Sequence, residues 1–328
     1  MTRPARILIT GGAGFIGGHL ARRLIAQGTE VVVLDDLSSG SRDAVQPEAL
    51  FHHGSVCDPA AVAAAVEGCS GIVHLAAMVS VPECVADWTG GHRVNIGGTI
   101  TVMQAARAAG NLPVVYASSA AIYGDQQGAL CHEALLPAPL SPYGADKLSC
   151  EHHARAFWTI HGLPSAGLRF FNVFGPGQSI RSPYAGVVAR FCDNARTGTP
   201  HTLFGDGRQT RDFVHVTDVV EIIRRALDRL AAEPDALVSN VCTNRAISLL
   251  DLVATLDDIV PGSAAGITFL DARAGDIRDS RGCDRRMRAL FGDLPGTTLR
   301  DGLAEILSPD PRPMPPEMRL DSPYGPGS

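Results

Sequence analysis

The residues in this chain best suited to chemistry are a tyrosine and a lysine four positions apart, Tyr143 and Lys147. On an α-helix this spacing puts both side chains on one face, one turn apart. An ammonium group near a phenol stabilises the phenolate, which is the form of tyrosine that can accept a proton. Upstream, Ser119 ends an apolar run, where its hydroxyl could hydrogen-bond a reacting oxygen. The spacing alone is common, so the prediction of acid/base chemistry depends on the elements that position these residues.

A glycine-rich turn near the N-terminus predicts a dinucleotide site. Gly11, Gly14 and Gly17 lie between the apolar run at 7–9 and a helical pattern. Such glycines let the backbone turn tightly, approach a diphosphate and pack helix on strand, while the helix N-terminus presents N–H groups to the phosphates. A second apolar run ends in Asp35, where a carboxylate would meet the adenosine ribose hydroxyls and repel a 2′-phosphate. The pattern therefore predicts NAD rather than NADP.

Strand-like apolar runs alternate with helical patterns through the first half of the chain. The runs cover residues 7–9, 31–34, 71–75, 114–117 and 166–170, and the helical patterns cover 19–26, 59–67, 92–109 and 143–160. This alternation predicts an α/β fold, a doubly wound parallel sheet of the Rossmann type with helices on both faces. Open sheets of this kind bind ligands at the carboxyl ends of their strands, so the glycine turn and Ser119 are expected at one edge.

The sequence pattern changes at Gly175. Loops become frequent after it, and helical patterns are confined to 185–194, 216–231 and 249–259. We predict a NAD-binding Rossmann domain and a smaller C-terminal α/β domain that binds substrate over the carboxyl edge of the sheet and is partly interleaved with the first. A proline-rich, flexible tail without assigned function would follow. The predicted bounds are 1–174, 175–307 and 308–328.

Composition excludes several classes of function. The chain has 328 residues, of which 45% are apolar and 19% charged, and its net charge of −6 offers no basic surface for nucleic acid or an anionic membrane. No apolar run approaches the roughly twenty residues that span a bilayer, and glycines interrupt the first strand, which argues against a signal peptide. The eight cysteines lack C-x-x-C spacing, which predicts reduced thiols and a cytoplasmic protein. The histidine pairs at 52–53 and 152–153 point apart, so no metal site is predicted.

Several further strings carry a resemblance to a known family. They are LDDLSSG at 34–40, HLAA at 74–77, SPYG at 141–144, LRFFNVFGP at 168–176, GDGRQTRDFVH at 205–215 and RAGD at 273–276. With the glycine turn and Ser119, Tyr143 and Lys147, the chain from about 7 to 307 resembles the extended short-chain dehydrogenase/reductase superfamily. The strings are similar in particular to those of its nucleotide-sugar epimerase/dehydratase branch.

The resemblance implies a role for each matching residue. Tyr143 would be the acid/base, Lys147 would hold the nicotinamide ribose, and Ser119 would steady the sugar 4-hydroxyl. The residues implied to bind NAD are Gly11, Gly14, Phe15, Ile16, Gly17, Asp35, Asp36, Ser38, Ser39, Gly40, Ser55, Val56, Leu75, Ala76, Ala77, Asn95, Tyr143, Lys147 and Phe170. Those implied to bind a UDP-sugar are Ser80, Ser119, Asn172, Val187, Leu203, Arg211, Arg273, Asp276 and Ser280. Arginines suit a diphosphate because guanidinium groups grip its oxygens in a fixed fork.

The two residues after Ser119 separate reactions within this branch. Dehydratases resemble one another in carrying an acid pair there, whereas this chain has Ala120 and Ala121, which cannot transfer a proton. The expected reaction is therefore 4-epimerisation of a UDP-sugar such as UDP-glucose or UDP-galactose, through a transient 4-keto intermediate. Ser280 falls where related epimerases place a residue beside the sugar 2-substituent, so a small side chain leaves room for an N-acetyl group. A serine that only caps a loop is the alternative interpretation.

Two other functions stay open at this point. A nucleotide-sugar 4-ketoreductase would use the same Ser119, Tyr143 and Lys147 but would consume added NAD(P)H, and a dehydratase-related enzyme would also use this set of residues. A NAD-sensing regulator without catalysis would keep the fold but has no need of an acid/base group. Fold alone does not choose among these functions.

Two segments depart from the family pattern. Ser55 stands where relatives carry an aspartate that touches adenine, and residues 87–92 lack the usual proline and contain two glycines. The helices at 99–109 and 147–160 resemble those that pair in a four-helix homodimer interface of this family. Their apolar residues, which are Ile100, Met103, Ala106, Leu148, Ala154 and Phe157, are equally explained as core within one chain.

Overall fold

The strands and helices were located in a computed structural model, which describes residues 5–178, 186–272 and 277–308. The strands are β1 (Arg6–Thr10), β2 (Glu30–Asp35), β3 (Leu50–His53), β4 (Gly71–His74), β5 (Val114–Ser119), β6 (Ser165–Phe170), β7 (Asn172–Phe174), β8 (His201–Phe204), β9 (Thr210–Arg211), β10 (Phe213–His215), β11 (Ala236–Val241), β12 (Ile247–Ser248) and β13 (Ile267–Leu270). The helices are α1 (Phe15–Ala26), α2 (Pro59–Val66), α3 (Val81–Ala86), α4 (Trp88–His92), α5 (Gly98–Ala108), α6 (Pro142–His161), α7 (Val187–Thr197), α8 (Val216–Ala232), α9 (Leu249–Ile259), α10 (Arg285–Phe291) and α11 (Leu299–Leu307).

Seven parallel strands form the central sheet, in the order β11-β6-β5-β4-β1-β2-β3. The order reverses between β1 and β4, where Thr10 pairs with Leu34 on one side and His74 on the other. Ligands of doubly wound sheets bind at such a reversal, outside the carboxyl ends of the strands. The predicted α/β doubly wound fold is confirmed, as are the five predicted strands of the first half.

The central sheet is covered on both faces because its strands are apolar on both. Ile7 and Ile9 on β1 pack with α1 and α8 in one core, whereas Leu8 packs with α2, α5 and α6 in the other. These side chains alternate because successive residues of a strand point to opposite faces. Near-continuous burial of this kind is typical of parallel strands, which lie between two helical layers.

Two strands of the central sheet have no counterpart in the predictions. β3, with the sequence LFHH, is half-exposed and lacks an apolar run. β11 comes from the segment 175–307 assigned to the smaller domain, yet it pairs with β6 along its whole length. The predicted helix at 92–109 is one part of a longer path, in which α4 runs into a π-helix, Arg93–Gly97, and then into α5.

A further core lies beyond the central sheet. It contains the strand pairs β8–β13 and β9–β12 with α7, α9 and α11, packed around Phe191, Leu203 and Leu252. The domain boundary at 174/175 stays a prediction. Of the predicted tail, all but Ser308 lies outside the described residues. Among the helices of the described part, none has the length and apolar character that a membrane crossing requires.

Candidate functional site

The glycine turn between β1 and α1 is shaped by three different constraints. Gly11 has φ +72°, a left-handed conformation, and a Cβ there would lie 2.6 Å from the main-chain nitrogen of Ala76. A Cβ on Gly17 would lie 2.2 Å from the carbonyl oxygen of Gly11. Gly14 is different, because its φ of −86° is ordinary and the nearest protein atom to a Cβ would be 3.2 Å away. A Cβ on Gly14 would therefore make a tight contact with the main chain, but a much milder one than a Cβ on Gly11 or Gly17.

The N-terminus of α1 opens beside this turn. Gly14 is its N-cap, no side chain caps it, and its first turn has no acidic residue. The first N–H groups of a helix have no partner within the helix and carry partial positive charge. A diphosphate is the kind of group that this end of α1 can bind.

Asp35 forms the next corner of the site, at the end of β2. Its carboxylate accepts hydrogen bonds from the main-chain N–H groups of Ala13 (3.0 Å) and Leu37 (2.9 Å), so it is held against the glycine turn. A carboxylate oxygen has two lone pairs, which leaves capacity for ribose hydroxyls. Gly40 passes directly over Ala13, where a Cβ would lie 2.8 Å from the carbonyl oxygen. The loop after β2 thus closes one side of the site.

Most of the residues predicted to bind NAD follow the carboxyl ends of sheet strands or start α1, whereas Asn95 lies in the π-helix Arg93–Gly97 and Tyr143 and Lys147 lie on α6. Phe15, Ile16 and Gly17 form the first turn of α1; Asp36, Ser38, Ser39 and Gly40 follow β2; Ser55 and Val56 follow β3; Leu75, Ala76 and Ala77 follow β4; Phe170 ends β6. The fold therefore brings them to one edge, although their individual contacts with NAD stay predictions. Ser55 accepts a 3.3 Å hydrogen bond from the N–H of Cys57, so its hydroxyl shapes its own loop.

Ser119, Tyr143 and Lys147 meet at the end of β5. The Lys147 ammonium is buried, donates to the carbonyl oxygen of Ala117 at 2.9 Å, and lies 5.7 Å from the ring centre of Tyr143. The Ser119 hydroxyl accepts from the N–H of Ala121 at 3.1 Å. A Cβ on Gly144 would lie 2.7 Å from the carbonyl oxygen of Ala121, so the start of α6 packs directly on the turn after Ser119. The predicted trio is thus assembled by contact between β5 and α6.

A buried ion pair that the sequence analysis missed holds α6 against the sheet. Glu151 accepts from both Nε (2.9 Å) and a terminal nitrogen (2.7 Å) of Arg169 on β6, and from the Ser118 hydroxyl (2.5 Å) on β5. Burial opposes the charge of Arg169, but the hydrogen bonds and charge of Glu151 outweigh it and raise the Arg169 pKa. Glu151 lies two turns after Tyr143 and one after Lys147, so helical spacing could have identified it as part of the same face.

A second missed feature is a buried chain of hydrogen bonds through His74. Thr99 donates its hydroxyl proton to the carbonyl oxygen of Asn95 (2.6 Å), so its contact with His74 Nε2 (3.0 Å) must be donated by the ring. His74 Nδ1 then accepts from Thr10 (2.7 Å), whose oxygen accepts from the N–H of Ala76 (3.4 Å). This network determines the tautomer of His74 and joins β1, the loop after β4 and the start of α5.

The residues predicted to bind substrate are spread over loops and structural elements from α3 to the segment after β13. Ser80 caps α3, Asn172 begins β7, Val187 begins α7, Leu203 lies fully buried in β8, Arg211 ends β9, and Ser280 follows the bridge between Asp279 and Thr210. Arg273 and Asp276 lie outside the described residues. Arg211 donates to the carbonyl oxygens of Thr210 and Ile277, both at 2.8 Å, and Ser280 donates its N–H to Thr210 at 3.2 Å. Arg211 and Ser280 are therefore neighbours through Thr210.

Asp212 organises the loops around Arg211. Its buried carboxylate accepts from the N–H and hydroxyl of Thr243 (2.8 and 2.7 Å) and from the N–H of Gly282 (3.1 Å). Burial raises its pKa, and these hydrogen bonds oppose the rise. The loops that carry Arg211 and Ser280 are thus joined by hydrogen bonds to the buried carboxylate of Asp212.

Comparison with known proteins identifies the family that shares this arrangement. The family model described as the NAD-dependent epimerase/dehydratase family matches residues 7–242. The chain belongs to this family. The family resemblance inferred from the sequence motifs and the prediction of NAD as cofactor are thereby confirmed.

Members of the epimerase/dehydratase family match nearly the whole chain. A UDP-glucose 4-epimerase of Azospirillum brasilense is 32% identical over 91% of this chain and 89% of its own length. The crystal structure of a UDP-glucose 4-epimerase from Thermotoga maritima with UDP-glucose has a TM-score of 0.85 at 34% identity, covering 91% of this chain and 96% of that one. A UDP-N-acetylglucosamine 4-epimerase from Methanobrevibacter ruminantium, in complex with UDP-N-acetylmuramic acid, has a TM-score of 0.87 at 28% identity, covering 93% and 98%.

The glycines of the turn allow a prediction for this family member's cofactor. Gly14→Ala should retain less NAD on purification, because its methyl group occupies the approach to the diphosphate, and should lose little stability, because its Cβ would lie 3.2 Å from the Gly11 carbonyl oxygen rather than the 2.2 Å of a Cβ on Gly17. Gly17→Ala should lower the melting temperature as well, since its Cβ meets the main chain of Gly11. NAD content and thermal unfolding, measured on both variants, would contradict this if the two behaved alike.

Because the His74 ring is buried, we expect the stability of the folded protein to fall in acid. Burial, with the Lys147 charge, lowers its pKa from 6.5 to about 3, so the folded state needs the neutral ring. Its contribution to stability is therefore complete above pH 6.5 and is lost as pH falls towards 3. Between pH 7 and pH 5 this amounts to about 2 kcal/mol. For His74→Gln, the change in unfolding free energy between these pH values should be smaller by that amount. An equal change in both proteins would refute the assignment.

Proposed function

We propose that the protein catalyses the NAD-dependent 4-epimerisation of a UDP-sugar, UDP-glucose/UDP-galactose, through a transient 4-keto intermediate. The observation that supports it most is the corner at the end of β5, where the Lys147 ammonium lies 5.7 Å from the ring centre of Tyr143 and Gly144 packs on the turn that follows Ser119. The turn after Ser119 contains Ala120 and Ala121, so the acid groups that elimination of water would require are absent from it. The curated and structural relatives that bear the name of this activity cover about nine-tenths of the chain.

The described residues fit NAD. Space beside Gly14, the uncapped start of α1 and the carboxylate of Asp35 suit a diphosphate flanked by a ribose. Lys147 uses one ammonium hydrogen for Ala117, and an ammonium has two more with which to hold the nicotinamide ribose. When bound, NAD supplies reversible uptake of a hydride from C4 of the sugar.

The protein's own groups move the proton and hold the sugar. Tyr143 would take the proton of the 4-hydroxyl as C4 gives up its hydride and becomes a ketone, and would return that proton to the C4 oxygen when the hydride comes back to C4. The Lys147 ammonium stabilises the phenolate, and Ser119 hydrogen-bonds the reacting oxygen. Inversion requires the 4-keto sugar to present its other face, which is possible if the diphosphate is held firmly by Arg211 and the sugar loosely.

The direct test is nuclear magnetic resonance of nucleotide sugars incubated with purified protein and no supplied coenzyme. We expect UDP-glucose and UDP-galactose to interconvert, because an epimerase regenerates its own oxidised cofactor in each cycle. A requirement for stoichiometric added coenzyme would instead identify a ketoreductase. Retention of NAD with no turnover of any sugar in the panel would identify a sensor.

Ser280 extends the proposal to sugars that carry an N-acetyl group at C2. It is half-buried next to Thr210 and has a small side chain, and a UDP-N-acetylglucosamine 4-epimerase is among the structural neighbours. Ser280→Tyr should reduce turnover of UDP-N-acetylglucosamine by roughly 10-fold or more, because the ring fills space beside C2, while changing UDP-glucose turnover little. Ser280→Ala is the matched control and should keep both. A wild-type enzyme active only on UDP-glucose would end this part of the proposal.

We also propose a homodimer in the cytoplasm, with α5 and α6 of each subunit forming a four-helix bundle. Met103, Ala106 and Ala154 are buried in the core of their own chain, so they cannot supply the contact. The exposed residues of these helices include Gln104 on α5 and His152 and Ile160 on α6, of which Ile160 is 71% exposed. The cytoplasmic assignment rests on the cysteine pattern of the sequence. Sedimentation of the purified protein would test the dimer.

A further inference from the structure

The residue before Lys147 is a buried carboxylate, Asp146, which has no role in the proposed reaction. Its side chain is on α6, 8% exposed, and it has two polar partners on the preceding helical path. Its Oδ1 lies 3.3 Å from Nδ1 of His92, whose side chain is 66% exposed, and its Oδ2 accepts from Nδ2 of Asn95 at 3.3 Å. A buried carboxylate needs such donors to offset its loss of water.

The contact with Asp146 completes the hydrogen bonding of the Asn95 side-chain amide. Its Oδ1 accepts from the main-chain N–H of Met78 at 2.9 Å, which assigns the oxygen and nitrogen of the amide. Its Nδ2 donates to the carbonyl oxygen of Met78 at 3.2 Å and to Asp146 at 3.3 Å, so both amide hydrogens are used. Asn95 is 1% exposed, and loss of the Asp146 acceptor would leave this buried donor with only the Cys84 sulfur, a weak acceptor 4.0 Å away.

The main chain of Asn95 is also a junction. Asn95 lies within the π-helix Arg93–Gly97, and its carbonyl oxygen accepts from the Thr99 hydroxyl (2.6 Å) and the Cys150 thiol (3.3 Å). Cys150 belongs to α6, one turn after Asp146. Two bonds from α6 thus meet on one residue, which in turn holds Met78, the residue directly after the Leu75–Ala77 loop.

We propose that Asp146 is a positioning residue that, through Asn95, sets the loop after β4 relative to the face of α6 that carries Tyr143 and Lys147. The loop is the segment expected to run under the dinucleotide, so the inference rests on the proposed function for its catalytic consequence. Without the acceptor, Asn95 no longer grips Met78 firmly, and the cofactor loop shifts relative to the acid/base pair. Misplacement by about 1 Å can lower a rate by about 100-fold. The rate of hydride transfer should change, whereas KM for the sugar, which Arg211 helps to bind, should not.

The test compares Asp146→Ala with His92→Ala, which removes the exposed partner and keeps the bond to Asn95. Asp146→Ala should slow reduction of the retained cofactor in a single turnover with UDP-glucose by about 10-fold or more, with KM within about twofold. His92→Ala should change neither. Asp146→Asn, whose side-chain oxygen can still accept from Asn95, should recover most of the rate. A lowered melting temperature of Asp146→Ala with an unchanged transfer rate would overturn the proposal, as would equal slowing by His92→Ala.

A second readout does not depend on the reaction. The N–H of Met78 donates to Oδ1 of Asn95, so its rate of deuterium exchange reports how stable this hydrogen bond is. Exchange at Met78 should be faster in Asp146→Ala than in the wild type and unchanged in His92→Ala. If the wild type fails to epimerise UDP-glucose while Met78 responds in this way, the proposed function is wrong and the positioning role stands. Unchanged exchange at Met78 in Asp146→Ala refutes the positioning role.

Discussion

Tyr143→Phe is expected to lower kcat for UDP-glucose epimerisation by about 10²–10⁴-fold, because the variant keeps the ring and loses the hydroxyl that accepts and returns the proton. NAD content and melting temperature should stay near those of the wild type, since the Tyr143 side chain is only half-buried. The measurement is initial rate by product analysis, with cofactor content determined on the same preparations.

The other tyrosines near β5 provide the control. Burial raises the pKa of both Tyr116 and Tyr123, well above the usual range for Tyr116, so neither is suited to act as a phenolate base. Tyr116→Phe removes a hydroxyl from the core and should leave kcat within about twofold. A Tyr143→Phe enzyme as active as Tyr116→Phe would remove Tyr143 from the mechanism.

Glu151→Met is expected to destabilise the protein by about 3–5 kcal/mol, because it leaves the Arg169 guanidinium charged and buried without its carboxylate. The side chains of the pair are 7% and 5% exposed, so water cannot replace the lost partner. Unfolding in urea, monitored by far-ultraviolet circular dichroism, measures the change. Activity should fall too, since the pair holds α6 against β5 and β6.

The double variant Glu151→Met/Arg169→Met distinguishes the loss of the ion pair from the cost of leaving Arg169 charged without a partner. It should be more stable than Glu151→Met, because two apolar side chains of similar size remove the unpaired charge. Arg300→Met serves as the surface control, since Arg300 and its partner Asp258 are 55% and 71% exposed and such pairs contribute little. A double variant less stable than Glu151→Met alone would show that the charge of Arg169 is not the cause.

Local patterns in the sequence were sufficient to predict which elements carry much of the site. The glycines of the first turn, the carboxylate at the end of β2 and the helical spacing of Tyr143 and Lys147 each depend on residues close together in the chain. Their outcome follows from backbone conformation and helical or strand periodicity. The same is true of the apolar runs that became β1, β2, β4, β5 and β6. The functional roles assigned to individual residues stay predictions.

What only the tertiary structure decided concerns residues far apart in the chain. Glu151 is hydrogen-bonded to Arg169 and Ser118, and His74 to Thr10. Asp146 is hydrogen-bonded to Asn95, which lies 51 positions earlier in the chain. No periodicity marks such partners, because a buried polar side chain is matched by whatever donor or acceptor the packing of helices on the sheet brings to it. For the same reason β11, which reads as part of the second domain, completes the edge of the central sheet: strand pairing is chosen by available partners in space rather than by order in sequence.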